Sequence, residues 1–294
     1  MEIDVLRPNK KYVICAALTG AATMKDQNPA VPYTAEEFAE EAYRCYQEGA
    51  AVVHIHARDP QTGLPTENID QIQRVVDAVR ERCPILINLS TAIRAGVPAE
   101  ARIKPIEVIK PDMASLNTGS MNFALINRKT GELITETVFE NTFAMLSSFA
   151  RVMKENKVKP ELEVYDLGHM ENVRLTSLQG VFEEPRHYNF LFGIAGGMPF
   201  SVGNLAQYIA GAPDGITWVA TSIGPKLQPV CNMLSLALGG NVRVGLEDNI
   251  WISEGVLARG SYEQVALAVK MGSTIGRGPA TPEEARVLLN LPER

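Results

Sequence analysis

Short β-branched apolar runs alternate along the chain with longer stretches whose apolar positions recur every three or four residues. The short runs predict strands over 12–18, 51–56, 84–89, 112–116, 161–165, 188–194, 216–220 and 242–246. The longer stretches predict helices over 34–48, 67–82, 100–109, 139–156, 169–180, 202–211, 226–239, 262–272 and 282–290. Some boundaries carry their own signals. Thr34 ahead of Ala35-Glu36-Glu37 reads as an N-cap with glutamate at the third helical position. Thr281-Pro282 puts proline in a first turn, where its missing N–H costs nothing, and Gly49 follows the first helix as a C-terminal cap.

Strand and helix alternate about eight times, the rhythm of a closed (β/α)8 barrel, a TIM barrel, so an α/β domain over 1–294 is expected. An open doubly wound sheet is the structural alternative, but no G-x-G-x-x-G follows the first strand and there is no P-loop. Polar residues gather where the predicted strands end: Thr19, His54 and His56, Ser90 and Thr91, Ser115 and Asn117, Asp166, Thr221, Glu247 and Asp248. A barrel brings those ends together in one mouth.

With 294 residues, 46% of them hydrophobic, the chain can bury one large core or two small ones. The formal net charge of −6 argues against a general nucleic-acid surface, while leaving room for a local basic site. Cys15, Cys45, Cys83 and Cys231 are far apart and form no C-x-x-C pair, which suits free thiols in a reducing compartment. No run reaches the length of a membrane span or a signal peptide's apolar segment, so no membrane partner and a cytoplasmic address are expected.

His54-Ile55-His56 is the sharpest local feature. Residues two apart on a strand face the same way, so two of the chain's four histidines converge on one point, as a zinc-type metal requires. The plainer alternative is one packed histidine and one exposed at the strand end. Glu247 offers a third ligand within Arg243-Val244-Gly245-Leu246-Glu247-Asp248-Asn249. Adjacent carboxylates both ionise only beside a cation or strong donors, which a metal at Glu247 and an Arg243–Asp248 pair would supply. An Arg–Asp bridge that merely closes the barrel explains the same residues. Ser90, Thr91, Ser115 and Asn117 suit hydrogen bonding to a carboxylate or carbonyl, although each is individually a common helix cap. The glycine-rich 193–203 stretch and Lys226 are weaker candidates for approaching a phosphate, and His169 for entering the mouth. No G-x-S-x-G occurs, and no cysteine has a neighbouring histidine in sequence.

Several of these segments occur in a combination that resembles the β-keto acid cleavage enzymes. They are Ala16 to Ala21, His54-Ile55-His56-Ala57-Arg58, Leu89-Ser90-Thr91, Met113 to Asn117 with Asn122-Phe123, Arg243 to Asn249, and the closing Ala280 to Arg286. The likeness runs nearly end to end. It implies a zinc-dependent barrel, usually a homotetramer, that converts a β-keto acid and acetyl-CoA into acetoacetate and a new CoA ester. It implies zinc on His54, His56 and Glu247, Asp248 as base with Arg243 beside it, and Ser90 and Ser115 against the substrate. Two positions depart from the members that cleave a 5-amino keto acid. Ala22 stands where they carry a glutamate for the ammonium, and Ile93 where they carry a glycine, so a narrower pocket and a different substrate tail are expected. The competing readings are a metal-dependent hydrolase of the amidohydrolase kind and a non-catalytic metabolite-binding barrel.

Overall fold

The computed structural model describes residues 10–94, 96–127 and 130–293. Eight parallel strands close on themselves: β1 (Ile14–Ala17), β2 (Val52–Ile55), β3 (Leu86–Leu89), β4 (Met113–Asn117), β5 (Lys159–Val164), β6 (His187–Phe192), β7 (Thr217–Ser222) and β8 (Asn241–Val244). Closure comes from β8 pairing with β1, in the register Val242↔Ile14, Arg243↔Cys15 and Val244↔Ala16. The strands are followed in turn by α1 (Ala35–Gln47), α2 (Ile69–Arg82), α3 (Ala99–Ile109), α4 (Phe143–Glu155), α5 (Leu167–Ser177), α6 (Val202–Gly211), α7 (Gln228–Ala237) and α8 (Ser261–Thr274), and α9 (Pro282–Leu288) ends the order. The barrel is the expected one.

Local chemistry sets the helix starts. Thr34 and Thr281 both form full capping boxes, with Glu37 and Glu284 reaching back to the cap N–H. Outward strand residues such as Ile14, Val53, Ile55 and Ile87 pack with Phe38 and Val76 of the helix layer, which is the main core. A second cluster joins Cys15, Val52, Leu86 and Met113 to Ala285 and Leu289, so α9 stoppers the end where the strands begin. That leaves the opposite end for chemistry. Among the described residues no helix is long and apolar enough to cross a membrane.

Two differences from the expected pattern matter. The predicted first strand divides, because Lys11–Tyr12 leaves the barrel to pair with Gly278–Pro279. The predicted fourth helix starts at Phe143 rather than 139, because the chain after β4 forms an antiparallel hairpin, Met121–Ile126 with Leu133–Phe139. A smaller hairpin pairs Trp251–Ser253 with Val256–Leu257.

At the end of β8 the backbone turns sharply through Gly245, at φ +135°, a value that strains any residue with a side chain. A Cβ there would stand 2.0 Å from the Ala17 carbonyl oxygen. The turn sends the Glu247 N–H back to that same carbonyl at 3.2 Å, which ties Glu247 to the end of β1. Gly245→Ala is therefore expected to lower stability by at least about 2 kcal/mol, from backbone strain and overpacking together. An unchanged urea midpoint would show that the turn tolerates a side chain.

Candidate active site

His54 and His56 lie at the end of β2, with ring centroids 5.0 Å apart. The Nε2 of His54 is 3.8 Å from Glu247 Oε2, and that of His56 is 3.6 Å from Glu247 Oε1. One donor atom from each of the three residues falls within 4.8 Å of the others. Burial pushes the His54 imidazole down to about 3, so it presents a neutral lone pair. Glu247 Oε2 is buried without any hydrogen-bond partner, as are the Nδ1 atoms of both histidines. Leaving such atoms unmade costs about 1–3 kcal/mol each. Two nitrogens and a carboxylate oxygen at this spacing suit a divalent cation with legs of about 2 Å, and leave coordination positions open.

Arg243 sits beside them, 2% exposed. Its Nη2 donates to Glu247 Oε1 at 2.7 Å and to Asp248 Oδ1 at 3.1 Å, and its Nε donates to Asp248 Oδ2 at 2.9 Å. Burial raises the Glu247 carboxyl, but Arg243 and the two histidines pull harder and hold it well below the usual range. Burial also raises Asp248, and there Arg243 does not fully offset it, so Asp248 is the more basic of the pair. The arginine–aspartate bridge thus exists alongside the metal-type cluster, and one guanidinium serves both.

These groups open into a cavity of about 960 Å³ whose wall includes His56, Ser90, Arg243, Glu247, Asp248 and Ala22. The Ser90 hydroxyl accepts from the Ala92 N–H at 3.1 Å, which leaves its own proton free to donate. Thr91, Ile93, Ser115 and Asn117 are not part of the wall. The Thr91 N–H donates to Ser115 Oγ and its hydroxyl to the Ser115 carbonyl, a staple between the ends of β3 and β4. Asn117 Oδ1 accepts from the Tyr165 hydroxyl at 3.1 Å. Ile93 turns away and lines a much smaller hole with Ile55, Ile72 and Leu89, so it does not narrow the main cavity.

The remaining histidines are engaged elsewhere. His169 Nδ1 accepts from the Tyr165 N–H and its Nε2 lies 3.4 Å from the Ser120 carbonyl, while His187 bonds Thr217 and Glu161 inside the barrel. Lys226 is outside the cavity wall, and Gly193, Ile194 and Ala195 of the glycine-rich stretch belong to it.

The sequence reading missed Glu163, Tyr165, Arg102 and the Met121–Phe139 hairpin, all of which help form the wall. Burial drives the Glu163 carboxyl up to about 8, with Glu161 adding to the push. Two residues away, burial opposes ionisation of Glu161, yet a hydrogen bond from His187 and nearby positive charge bring it down to about 2. An E-x-E strand was visible in the sequence. Its opposite proton states were not, because they depend on partners from other strands.

A model of the beta-keto acid cleavage enzyme family matches residues 11–291. The 3-keto-5-aminohexanoate cleavage enzyme of Fusobacterium nucleatum is 36% identical over 283 residues, which is 96% of this chain and 98% of that protein. The 3,5-dioxohexanoate:acetyl-CoA acetone transferase of Paraburkholderia graminis is 32% identical over 299 residues, 96% of each. Among solved structures, apo ObcA aligns with a TM-score of 0.73 at 21% identity, over 90% of this chain and 66% of its own, a likeness of fold.

Alanine at His54, His56 or Glu247 is expected to abolish tight binding of a divalent cation, measured as metal per chain by elemental analysis. Full occupancy in all three variants would place the metal elsewhere.

Proposed function

We propose that this chain, which belongs to the beta-keto acid cleavage enzyme family, is a zinc-dependent acyltransferase acting on a β-keto acid and acetyl-CoA. The observation that carries the reading is the His54, His56 and Glu247 donor set beside the Arg243–Asp248 pair on the wall of one cavity. Overall, the CH2–COO⁻ unit leaves the substrate's acyl group and joins the acetyl group as acetoacetate. The CoA sulfur takes its place on the acyl group.

Zinc held by the three ligands would supply a Lewis acid that polarises the ketone and makes the neighbouring CH2 more acidic. Asp248 takes that proton. Its burial raises its basicity, and the two hydrogen bonds from Arg243 fix both oxygens so that the carboxylate needs no reorganisation. Ser90 donates its free hydroxyl proton to a substrate oxygen. Ala92, Phe123, Phe139 and Leu191 in the wall exclude water, which favours attack on the thioester over reprotonation by solvent. The rival hydrolase reading needs further histidines at the site, and His169 and His187 are committed elsewhere.

Ala22 lines the cavity and offers no charge to a substrate tail. A cationic tail beside Ala22 gains nothing from that residue to offset its lost hydration. The preferred substrate therefore carries a neutral or apolar tail rather than an amino group. The family reading extends to a cytoplasmic homotetramer, and the exposed Leu133 and Ile134 on the hairpin offer an apolar surface suited to a subunit contact.

Asp248→Asn is expected to retain its metal and to lose about 10²–10⁴-fold in turnover, the usual contribution of a positioned base. Near-normal acetoacetate production by that variant would move the base to another residue. In a panel of keto acids of matched length, the methyl-tailed compound should exceed the amino-tailed one by at least about tenfold in kcat/KM. If the amino compound proves best, Ala22 does not set the tail, and Glu140 or Glu163 in the same wall becomes its partner.

A further inference from the structure

The hairpin that the sequence pattern did not reveal has an inner face built from aromatic rings. Phe123 and Phe139 meet edge-on at 6.5 Å, and Phe139 meets Tyr165 at 6.3 Å. With Leu191 and Ile194 they form an apolar cluster distinct from the main core, and all five residues belong to the cavity wall. The hairpin packs directly on the chain that follows β6. The hairpin backbone at Asn122 approaches Gly196 so closely that a Cβ at 196 would stand 1.7 Å from the Asn122 carbonyl oxygen. Ala124 also forms an antiparallel bridge to Ala195. At the hairpin's exit, Arg102 donates to the carbonyls of Thr91 and Glu140 and to Asn141 Oδ1, with its guanidinium 5.4 Å from the ring centres of both Phe139 and Phe149.

Resting on the proposed reaction, we infer that this face is the subsite for the tail of the β-keto acid. Its substrates are straight-chain keto acids with an apolar tail of several carbons, and Phe123 sets the length. The alternative occupant is the pantetheine arm of acetyl-CoA, which carries two amides. An amide held against rings and aliphatic side chains loses hydrogen bonds to water and gains none. An alkyl chain loses nothing there. The Tyr165 hydroxyl, the one polar group in the cluster, is turned to Asn117 and Glu163.

The test is a series of straight-chain 3-oxo acids of increasing length. Turnover is followed at fixed acetyl-CoA, and binding is followed by calorimetry on the metal-loaded enzyme without acetyl-CoA. Each buried methylene should improve kcat/KM and Kd about fourfold, the equivalent of about 0.8 kcal/mol, until the wall is filled. Phe123→Ala should move the optimum to longer chains and Phe123→Trp to shorter ones, with the KM for acetyl-CoA held within about twofold. A Kd independent of chain length overturns the subsite, and so does an optimum that neither variant moves. A changed acetyl-CoA KM with chain preference intact would assign the face to pantetheine. If no acid in the series yields acetoacetate while Kd still tightens with length, the reaction is wrong and the tail subsite stands.

Discussion

One buried guanidinium governs the site. Asp248 is buried and the adjacent Glu247 is nearly so, a placement that two carboxylates do not tolerate alone. Arg243 reaches both from within β8, and the β8–β1 register that closes the barrel places it opposite Cys15. It donates to Oε1 of Glu247 and leaves Oε2 without a hydrogen bond, 3.8 Å from His54 Nε2. In the proposed reaction the same side chain divides the labour, leaving one carboxylate for a metal and holding the other as the base. Gly245 makes this possible, because only a backbone turning that tightly brings residues 247 and 248 back over Arg243.

Below the site the barrel interior is polar, and above it the hairpin gives the wall an apolar face. Asn88 and Asn189 donate to Glu161, and Thr221 donates to Asn189, so the charged layer has fixed partners. A hydrogen-bonded layer of this kind holds its dipoles in place during a reaction. Glu163, one step closer to the mouth, has the Tyr165 hydroxyl at 3.4 Å, and burial drives its carboxyl up to about 8. The contrast fits a chemistry that needs charge at the floor and dryness at the roof. The hairpin provides the roof, and Arg102 joins its base to the loop that carries Ser90.

Much of this was legible in the chain. The eight strands declared themselves because buried parallel strands read as β-branched runs, and the helices because their caps are local. His54-Ile55-His56 was legible because strand geometry alone makes the two rings converge. The hairpin was not, since Leu133 to Phe139 interleaves threonines and a glutamate with apolar residues and merges into the pattern of α4. Nor could the sequence tell which way Ile93 turns, because an apolar residue just past a strand end can pack toward the mouth or behind it. Glu163 and Arg102 acquire their character from residues that lie far away along the chain.

The central claim is that acetyl-CoA is a reactant that exchanges carbon with the substrate, and that the metal site does not simply hydrolyse or hold a keto acid. Isotope carried in the acetyl group of acetyl-CoA tests this most directly, with products resolved by mass spectrometry. The account predicts label in the methyl-ketone half of acetoacetate, none in the new acyl-CoA, and one acyl-CoA for each acetoacetate. Unlabelled acetoacetate, or label released as free acetate while the keto acid persists, would contradict it.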